Sequence, residues 1–333
     1  MNLKLRAVFS MIAIVSLALA LTPGVALAAS SGSMDSSFSC GSAQPEVGTI
    51  TTGDDTIYPG QSNTITIPVS DSNTLADIES ITVYLYYDAD GNFVAPTGTE
   101  IPNVHTFVIL TWTPEDGWTI EPSGTMWAID TANCLTPDMG STSGDFVLAY
   151  IPSPVAQESV SGPAEWHIFV VVDDGTTEPV TSYTEGLEMA WYGSVAINTV
   201  DGVHWGEVTP GMLFAEGAPS EKDNISVTYI CNGAYDEQVA STATWEGGET
   251  ATATLTADAA NPNEFALRAD DTTNLVSAVT VSTSYAAIDD TGTITEEAGD
   301  TVLTNSIWLQ LHSTFASDTY AGAIFYQIAQ GTY

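Results

Sequence analysis

Three oxygen-bearing side chains at alternate positions, Asp88, Asp90 and Asn92, form the segment best suited to binding a metal ion. Calcium prefers carboxylate and amide oxygens, and alternate residues of a calcium loop point toward the ion. The segment departs from the calcium loop of helix–loop–helix proteins, with Phe93 where glycine is required and Thr99 where a bidentate glutamate would stand. Because Asp, Asn and Gly also favour turns, a hairpin turn without metal explains the same residues. The plain turn is the simpler interpretation of the segment, and Ca2+ is the cofactor predicted if a metal binds there.

Residues for nucleophilic or zinc-assisted catalysis are sparse in this sequence. The histidines are too far apart for the zinc-protease pattern of two histidines on one helical turn, and they stand at His105, His167, His204 and His312. Segment 140–144 has the glycines of a nucleophile elbow but places Thr142 at the nucleophile position. Adjacent carboxylates are expected by chance among 42 acidic residues. We therefore predict that the protein is not an enzyme.

Three cysteines and one glycosylation acceptor are the remaining modifiable residues. Exported proteins form disulfides, and Cys40, Cys134 and Cys231 allow one bridge within the chain. We predict the pair Cys40–Cys134, because both flank the first predicted domain, and we leave Cys231 outside it. Asn224 opens an Asn-x-Ser acceptor, which predicts N-glycosylation.

Eight tryptophans suggest a second kind of function. Trp112, Trp118 and Trp127 fall in one segment rich in proline and glycine. Exposed aromatic rings can stack on the faces of sugars, which predicts binding of surface glycans. Packing in the core of a β-sandwich explains the same residues.

The charge balance excludes two classes of partner. The chain has 42 acidic and 4 basic residues, a formal net charge of −38. Loss of an N-terminal signal would remove Lys4 and Arg6, leaving two basic residues against 42 acidic ones, a charge of −40. Nucleic acids and anionic lipid surfaces need a basic footprint, which is missing. Self-repulsion of this size disfavours association unless cations screen it.

The N-terminus has the three parts of a secretory signal. A basic start precedes an apolar run from Val8 to Leu21, and residues 26–28 supply the small-x-small cleavage pattern. We predict a cleaved signal peptide at 1–28 and a flexible leader at 29–45. No second apolar span follows, so we expect no membrane span after cleavage and an extracellular location at the cell surface.

Apolar residues recur with a period of two beyond the leader, which predicts short antiparallel strands. The alternation is clear over 65–69 and 81–87, and 166–172 is apolar on both parities, with His167 as a single polar residue on a sheet. We predict an all-β chain of two antiparallel β-sandwich domains in tandem, at 46–201 and 202–333, with 191–197 as the last strand of the first.

The strand patterns resemble known families. The first half resembles the immunoglobulin-like domains of bacterial and archaeal cell-surface proteins, through Tyr58-Pro59-Gly60, Ile65-x-Ile67-x-Val69-Ser70-Asp71 and Ile81-x-Val83-x-Leu85. The second half is similar to β-sandwich modules of prokaryotic surface-layer, fibre and envelope proteins, through Gly206-x-Val208-x-Pro210-Gly211 and Tyr320-x-Gly322-x-Ile324-x-Tyr326.

The resemblance implies a structural role outside the cell. We predict a secreted subunit of a surface layer, sheath or filament, which associates with copies of itself through β-strand edges and divalent cations. The alternative is a secreted module that binds glycan or protein.

Overall fold

A computed structural model of the chain describes residues 36–39, 41–97, 99–123, 126–160, 165–199, 201–214, 222–292 and 301–331. The predicted signal peptide, residues 29–35 of the predicted leader and Cys40 lie outside these residues. Segment 42–333 forms one compact unit. Across the described residues, no helix is long and apolar enough to cross a membrane.

The described chain is built from strands, with one short 3-10 helix at Leu75–Asp77. The strands of the first half are β1 Glu46–Val47, β2 Thr51–Thr52, β3 Thr56–Ile57, β4 Asn63–Ser70, β5 Ser80–Tyr87, β6 Phe107–Thr113, β7 Gly117–Glu121, β8 Ala128–Ile129, β9 Ser143–Ile151, β10 Trp166–Asp173 and β11 Val180–Met189. Those that follow are β12 Gly193–Ile197, β13 Lys222–Cys231, β14 Tyr235–Ser241, β15 Thr244–Gly247, β16 Thr252–Leu255, β17 Glu264–Asp270, β18 Val279–Thr280, β19 Ala286–Gly292, β20 Thr301–Leu311, β21 Tyr320–Ala321 and β22 Ile324–Gln330.

The first sandwich packs a five-stranded sheet on a six-stranded one. The five-stranded sheet has the order β1-β4-β9-β8, with β2 also paired to β4, and the six-stranded sheet has the order β3-β11-β10-β5-β6-β7. Their facing side chains form one buried cluster. In it, the ring centroids of Trp112 and Phe146 lie 4.8 Å apart in an edge-to-face arrangement. Each large apolar side chain buried in such a core contributes about 1.5–3 kcal/mol.

The second sandwich packs an eight-stranded sheet on a three-stranded one. The larger sheet runs β12-β13-β20-β17-β16-β15-β21, with β18 paired to β17, and the smaller runs β19-β14-β22. A separate buried cluster fills the space between them. In it, the ring centroids of Tyr229 in β13 and Tyr235 in β14 lie 4.8 Å apart. The prediction of an all-β chain built from β-sandwiches is confirmed. Most pairs are antiparallel, but β3 pairs β11 and β16 pairs β17 in parallel.

Strand β12 corrects one part of the sequence interpretation. We expected 191–197 to close the first domain, but Gly193–Ile197 pairs with β13 along its whole length and belongs to the eight-stranded sheet. Alternation alone identifies a strand without identifying the sheet that it joins. The other bounds of the two predicted domains, 46–201 and 202–333, stay predictions.

The last residues of the predicted leader are hydrogen bonded to the first sandwich. The Ser42 hydroxyl donates to the Asp174 carboxylate over 2.9 Å, and the backbone N–H of Ala43 donates to the Asn73 side chain over 2.6 Å. These bonds fix the entry of the chain into the sandwich.

Candidate functional site

The outer face of the six-stranded sheet carries a cluster of aromatic rings, which we call the aromatic face. Alternation directs one parity of β5, β10 and β11 into the core and the other parity outward. Several outward side chains of these strands and of β6 are aromatic rings where polar residues are usual. With Phe93 of the loop after β5, they are Tyr84, Tyr86, Phe107, His167, Phe169 and Tyr183.

Register places these rings in two neighbouring rows across the strands. Phe169 of β10 stands opposite Tyr84 of β5 on one side and Tyr183 of β11 on the other. In the next row, His167 stands opposite Tyr86. Tyr84 and Phe169 lie 6.0 Å apart between ring centroids, and Tyr86 and His167 lie 5.3 Å apart. Such distances are in the range of favourable aromatic pairs.

Phe93 covers the centre of the aromatic face. Its ring stacks on Tyr183 at 4.0 Å with an interplanar angle of 19°, and it meets His167 edge-on at 6.0 Å. Tyr183 is 54% exposed, so this pair borders solvent. The Tyr86 hydroxyl donates to the carbonyl oxygen of Val94 over 2.8 Å, which holds the loop against the sheet.

His167 is fully buried under these rings. Within the described part of the chain, neither ring nitrogen has a hydrogen-bond partner. Burial lowers the pKa of His167, against the smaller raising effects of the Asp88, Glu185 and Asp90 carboxylates. The imidazole is therefore neutral near pH 7 and supplies no positive charge to the face.

Four carboxylates act electrostatically on the rings of the aromatic face, and we call them its rim: Asp88, Asp90, Glu100 and Glu185. Burial, followed by the charge of Asp88, raises the pKa of Tyr86 to about 12, with smaller raising effects from Glu185 and Glu100. The rim and the rings thus lie close enough to interact electrostatically.

Asp88, Asp90 and Asn92 lie on this rim, in the turn after β5. The backbone N–H of Asp90 donates to the Asp88 carboxylate over 3.2 Å, and that of Asn92 donates to the Asp90 carboxylate over 2.9 Å. Hydrogen bonds from Asn92 lower the pKa of Asp90. These bonds are those of successive Asx turns, as the plain-turn alternative expects. Among the described residues, no group of three or more His, Cys, Asp or Glu side chains is arranged to hold a metal ion. Calcium at this turn stays a prediction.

A buried polar junction fastens the two sandwiches together. Asn232, fully buried after β13, donates its side-chain amide to the carbonyl oxygens of Ala156 and Ala190 over 2.8 and 2.9 Å. Its side-chain oxygen accepts from the backbone N–H of Tyr192 over 2.6 Å. Its backbone carbonyl accepts from the N–H of Glu158 over 3.0 Å. Both ends of the amide are therefore used in fixing the junction.

Two further contacts strengthen the junction. The indole N–H of Trp191 donates to the carbonyl oxygen of Ala234 over 3.1 Å. The side-chain amide of Gln330 donates to the carboxylate of Glu158, which is buried. The last described strand of the chain is thus tied to the first sandwich.

Strand β22 forms an edge of the three-stranded sheet, and among the described strands it pairs only with β14. Hydrogen bonds run from the N–H of Gly331 to the carbonyl of Ala234 and from the N–H of Thr242 to that of Ala323. Alternate residues of an antiparallel pair point their N–H and C=O groups away from the partner strand. The backbone groups of Ile324, and of every second residue after it, therefore face the edge.

The tryptophans marked as a glycan platform are core residues. Trp112 and Trp127 are each 3% exposed, and Trp118 packs partly buried against the same cluster. The indole N–H of Trp127 donates to the carbonyl oxygen of Val104 over 2.8 Å. A sugar cannot stack on the buried rings of Trp112 and Trp127, and binding of glycans at any other place stays a prediction.

The cysteines and the glycosylation acceptor lie on different elements. Cys134 packs against the first core, where its sulfur accepts from the backbone N–H of Ala149 over 3.3 Å, and Cys231 is buried in the second core. Because Cys40 lies outside the described residues, the bridge Cys40–Cys134 stays a prediction. Asn224 is exposed on β13, opposite Ser306.

The aromatic face was missed by the sequence analysis, although its signal was present. Tyr84 and Tyr86 alternate with core residues, and His167 and Phe169 do so in a strand that is apolar on both parities. We assigned both parities of that strand to a sandwich core. Rings on the outward parity of adjacent strands would have indicated a second apolar surface.

Comparison with known proteins gives no family. No family model matches the chain, and no curated protein matches it. One similar solved structure is a chain from a chaperone–tip adhesin complex vital for activation of CFA/I fimbriae biogenesis, 10% identical, covering 88% of this chain and 92% of that one, with a TM-score of 0.26. Another is the 35 kDa C-terminal fragment of the major pilin of Streptococcus agalactiae, 12% identical, covering 86% and 91%, with a TM-score of 0.24. These TM-scores are too low to carry a conclusion.

Proposed function

We propose that the protein is a secreted structural subunit of an extracellular surface assembly (a surface layer, sheath or filament) and that it associates with copies of itself through strand edges. The observation that carries this proposal is the edge strand β22. Its sequence, Ile-Phe-Tyr-Gln-Ile-Ala-Gln, has no charge, proline or glycine over seven residues. Soluble proteins ordinarily protect edge strands with charges, prolines or bulges, because a neutral edge pairs with other chains.

The contrast with the rest of the chain strengthens this argument. The chain carries 42 acidic residues, yet this edge strand is neutral. Phe325, on the outer side of β22, is 45% exposed, whereas Tyr326 and Ile328 point into the core. The edge therefore offers both backbone hydrogen bonds and apolar surface to a neighbouring chain.

The polar junction also supports a structural role. Its buried hydrogen bonds hold the two sandwiches in one arrangement, and an unpaired buried polar group would cost about 1–3 kcal/mol. A subunit with a fixed arrangement of its sandwiches can repeat regularly in a lattice or fibre.

The proposal includes divalent cations between subunits, because association brings the carboxylates of neighbouring subunits together and they repel each other. Monovalent salt screens charges over about 8–10 Å near physiological strength, which does little for carboxylates in contact. Calcium binds such oxygen-rich sites directly. The acidic turn at Asp88–Asn92 is the segment proposed to take part.

The edge is tested by a matched pair of variants at one position. Proline at residue 324 removes an N–H that faces the edge, and proline is tolerated at the first residue of a strand. Ile324→Ala loses the same side-chain packing but keeps that N–H. We expect Ile324→Pro to stay monomeric in sedimentation velocity under calcium concentrations at which Ile324→Ala and the unchanged protein assemble. Equal assembly by both variants would exclude β22 as the associating edge.

A secreted binding module is the second candidate function. The aromatic face favours it, because exposed rings with a polar rim are typical of binding surfaces.

A further inference from the structure

On the aromatic face, a stacked pair of rings at the border with solvent lies near carboxylates whose negative charge is not neutralised. Phe93 and Tyr183 stack at the border with solvent, and Tyr183 is 54% exposed. Exposed apolar surface rimmed by polar residues commonly marks an interaction site. The face of an aromatic ring also carries partial negative charge, which attracts cations.

In the described part of the chain, the lysine and the arginine lie against other rings and not beside the rim carboxylates. Asp88, Asp90 and Glu185 all act on His167, which is fully buried and has no hydrogen-bond partner at either ring nitrogen within the described chain. Because burial keeps the imidazole neutral, the charge of the face is set by its carboxylates.

The chain cannot supply the missing cation from another copy of itself. Its basic residues beyond the predicted signal are Lys222 and Arg268. Lys222 lies 6.0 Å from the ring of Trp308, and Arg268 packs on Phe214 at 4.8 Å. Both already contact aromatic rings of their own chain, which favours a different molecule as the source of the positive charge.

We propose that the aromatic face binds a cationic, partly apolar segment of another protein, with an arginine or lysine side chain against the Phe93–Tyr183 pair and its charge beside Asp88, Asp90 and Glu185. Such a partner supplies hydrogen-bond donors and positive charge together, as the rim requires. A neutral sugar fits less well, because its hydroxyls need donors as well as acceptors and carboxylates only accept. This interaction does not involve β22, but it shares Asp88 and Asp90 with the proposed calcium site, so calcium and the partner would compete there.

The test is fluorescence polarisation with a labelled nine-residue peptide of alternating Arg and Leu, compared with a peptide in which Gln replaces each Arg. The titrated protein is the mature chain, kept monomeric by a calcium chelator or by the Ile324→Pro substitution. This choice separates failure of the docking proposal from failure of the assembly proposal.

Two variants remove parts of the face, and each has a matched control on the second sandwich. Tyr183→Ser removes the open ring, with the exposed Tyr285→Ser as control, and Glu185→Gln removes one rim charge, with the exposed Glu249→Gln as control. We expect Tyr183→Ser and Glu185→Gln each to weaken binding of the Arg peptide by about threefold, in line with exposed cation–π and ion-pair contacts. The control variants should bind as the unchanged protein does.

Three outcomes would overturn the proposal. The first is that the control variants weaken binding of the Arg peptide equally, which would mean that its affinity depends on the net charge of the protein alone. The second is equal binding of the Gln peptide. The third is displacement of the Arg peptide by chitotetraose or maltoheptaose through Tyr183, which would make the face a glycan platform.

Discussion

The side-chain amide of Asn232 donates a hydrogen bond of 2.8 Å to the carbonyl oxygen of Ala156, from the second sandwich to the first. Asn232 is fully buried, and Ala156 belongs to the first hydrophobic cluster. A side chain that satisfies buried backbone groups on a neighbouring sandwich couples the stability of the two cores.

Replacing this asparagine should destabilise the whole unit. Asn232→Ala leaves the buried Ala156 carbonyl, and the partly buried Ala190 carbonyl and Tyr192 N–H, without their side-chain partner. We expect a loss of about 3 kcal/mol in the free energy of unfolding. Chemical denaturation followed by tryptophan fluorescence measures the loss. Asn198→Ala, which removes an exposed bond to Thr228, is the control and should change stability by less than about 1 kcal/mol. Equal losses in the two variants would mean that the junction does not couple the sandwiches.

His167 should give the protein a pH-dependent stability. Its folded-state pKa is lowered by burial, so the unfolded chain binds the proton more readily. Folding stability should therefore fall as the pH drops below about 6.5, the ordinary value for histidine, toward the lowered folded pKa.

The variant that tests this prediction is His167→Phe, which keeps an aromatic ring but removes both nitrogens. His167→Phe should be at least as stable as the unchanged protein at pH 7, because it removes two buried nitrogens that lack partners. It should also lose stability less steeply than the unchanged protein between pH 7 and 5 in thermal denaturation. His312→Gln, on an exposed segment, is the control. A His167→Phe curve that follows the unchanged protein at every pH would contradict the assignment.

The predicted bridge between Cys40 and Cys134 is expected to form in exported protein. It would close a long loop and stabilise the fold by about 4–5 kcal/mol in the chain-entropy model, and engineered bridges often give less. Non-reducing peptide mapping should recover the two cysteines in one linked peptide pair. A protease with acidic specificity suits the experiment, since only Lys222 and Arg268 remain for trypsin. Recovery of Cys231 joined to either residue within one chain would refute the pairing.

Export should remove residues 1–28. The basic start, apolar run and Ala-Leu-Ala pattern predict cleavage after Ala28. Intact-mass measurement on protein recovered from outside the cell should give the mass of a chain that begins at Ala29. A mass that includes the first 28 residues would defeat this prediction.

The period of apolar residues was sufficient to predict the fold class. Ile81, Val83 and Leu85 alternate with outward residues and are fully buried, as a half-buried strand requires. The partner of a strand is not encoded in its period, so Gly193–Ile197 was placed in the wrong sheet. Pairing with β13 depends on contacts distant in sequence.

The site was less accessible to sequence reasoning than the fold. Asp88, Asp90 and Asn92 were identified as a turn or a metal loop, but the ring cluster beside them depends on register between three strands. Asn232 gave no signal, because a single asparagine in a sequence does not reveal the carbonyl groups that surround it. Trp112 and Trp127 were considered as exposed rings for glycans, but they are buried, since aromatic residues near turns can point inward as readily as outward.

The central claim, assembly into a surface structure, is tested most directly on purified mature protein by light scattering and negative-stain microscopy across calcium concentrations. The account predicts that scattering rises with calcium, that ordered layers or fibres appear in the images, and that a chelator reverses both. Microscopy of native cell surfaces should show the same repeat. A protein that stays monomeric at every calcium and salt concentration, and that occurs around native cells only in soluble form, would contradict the structural role and favour the secreted binding module.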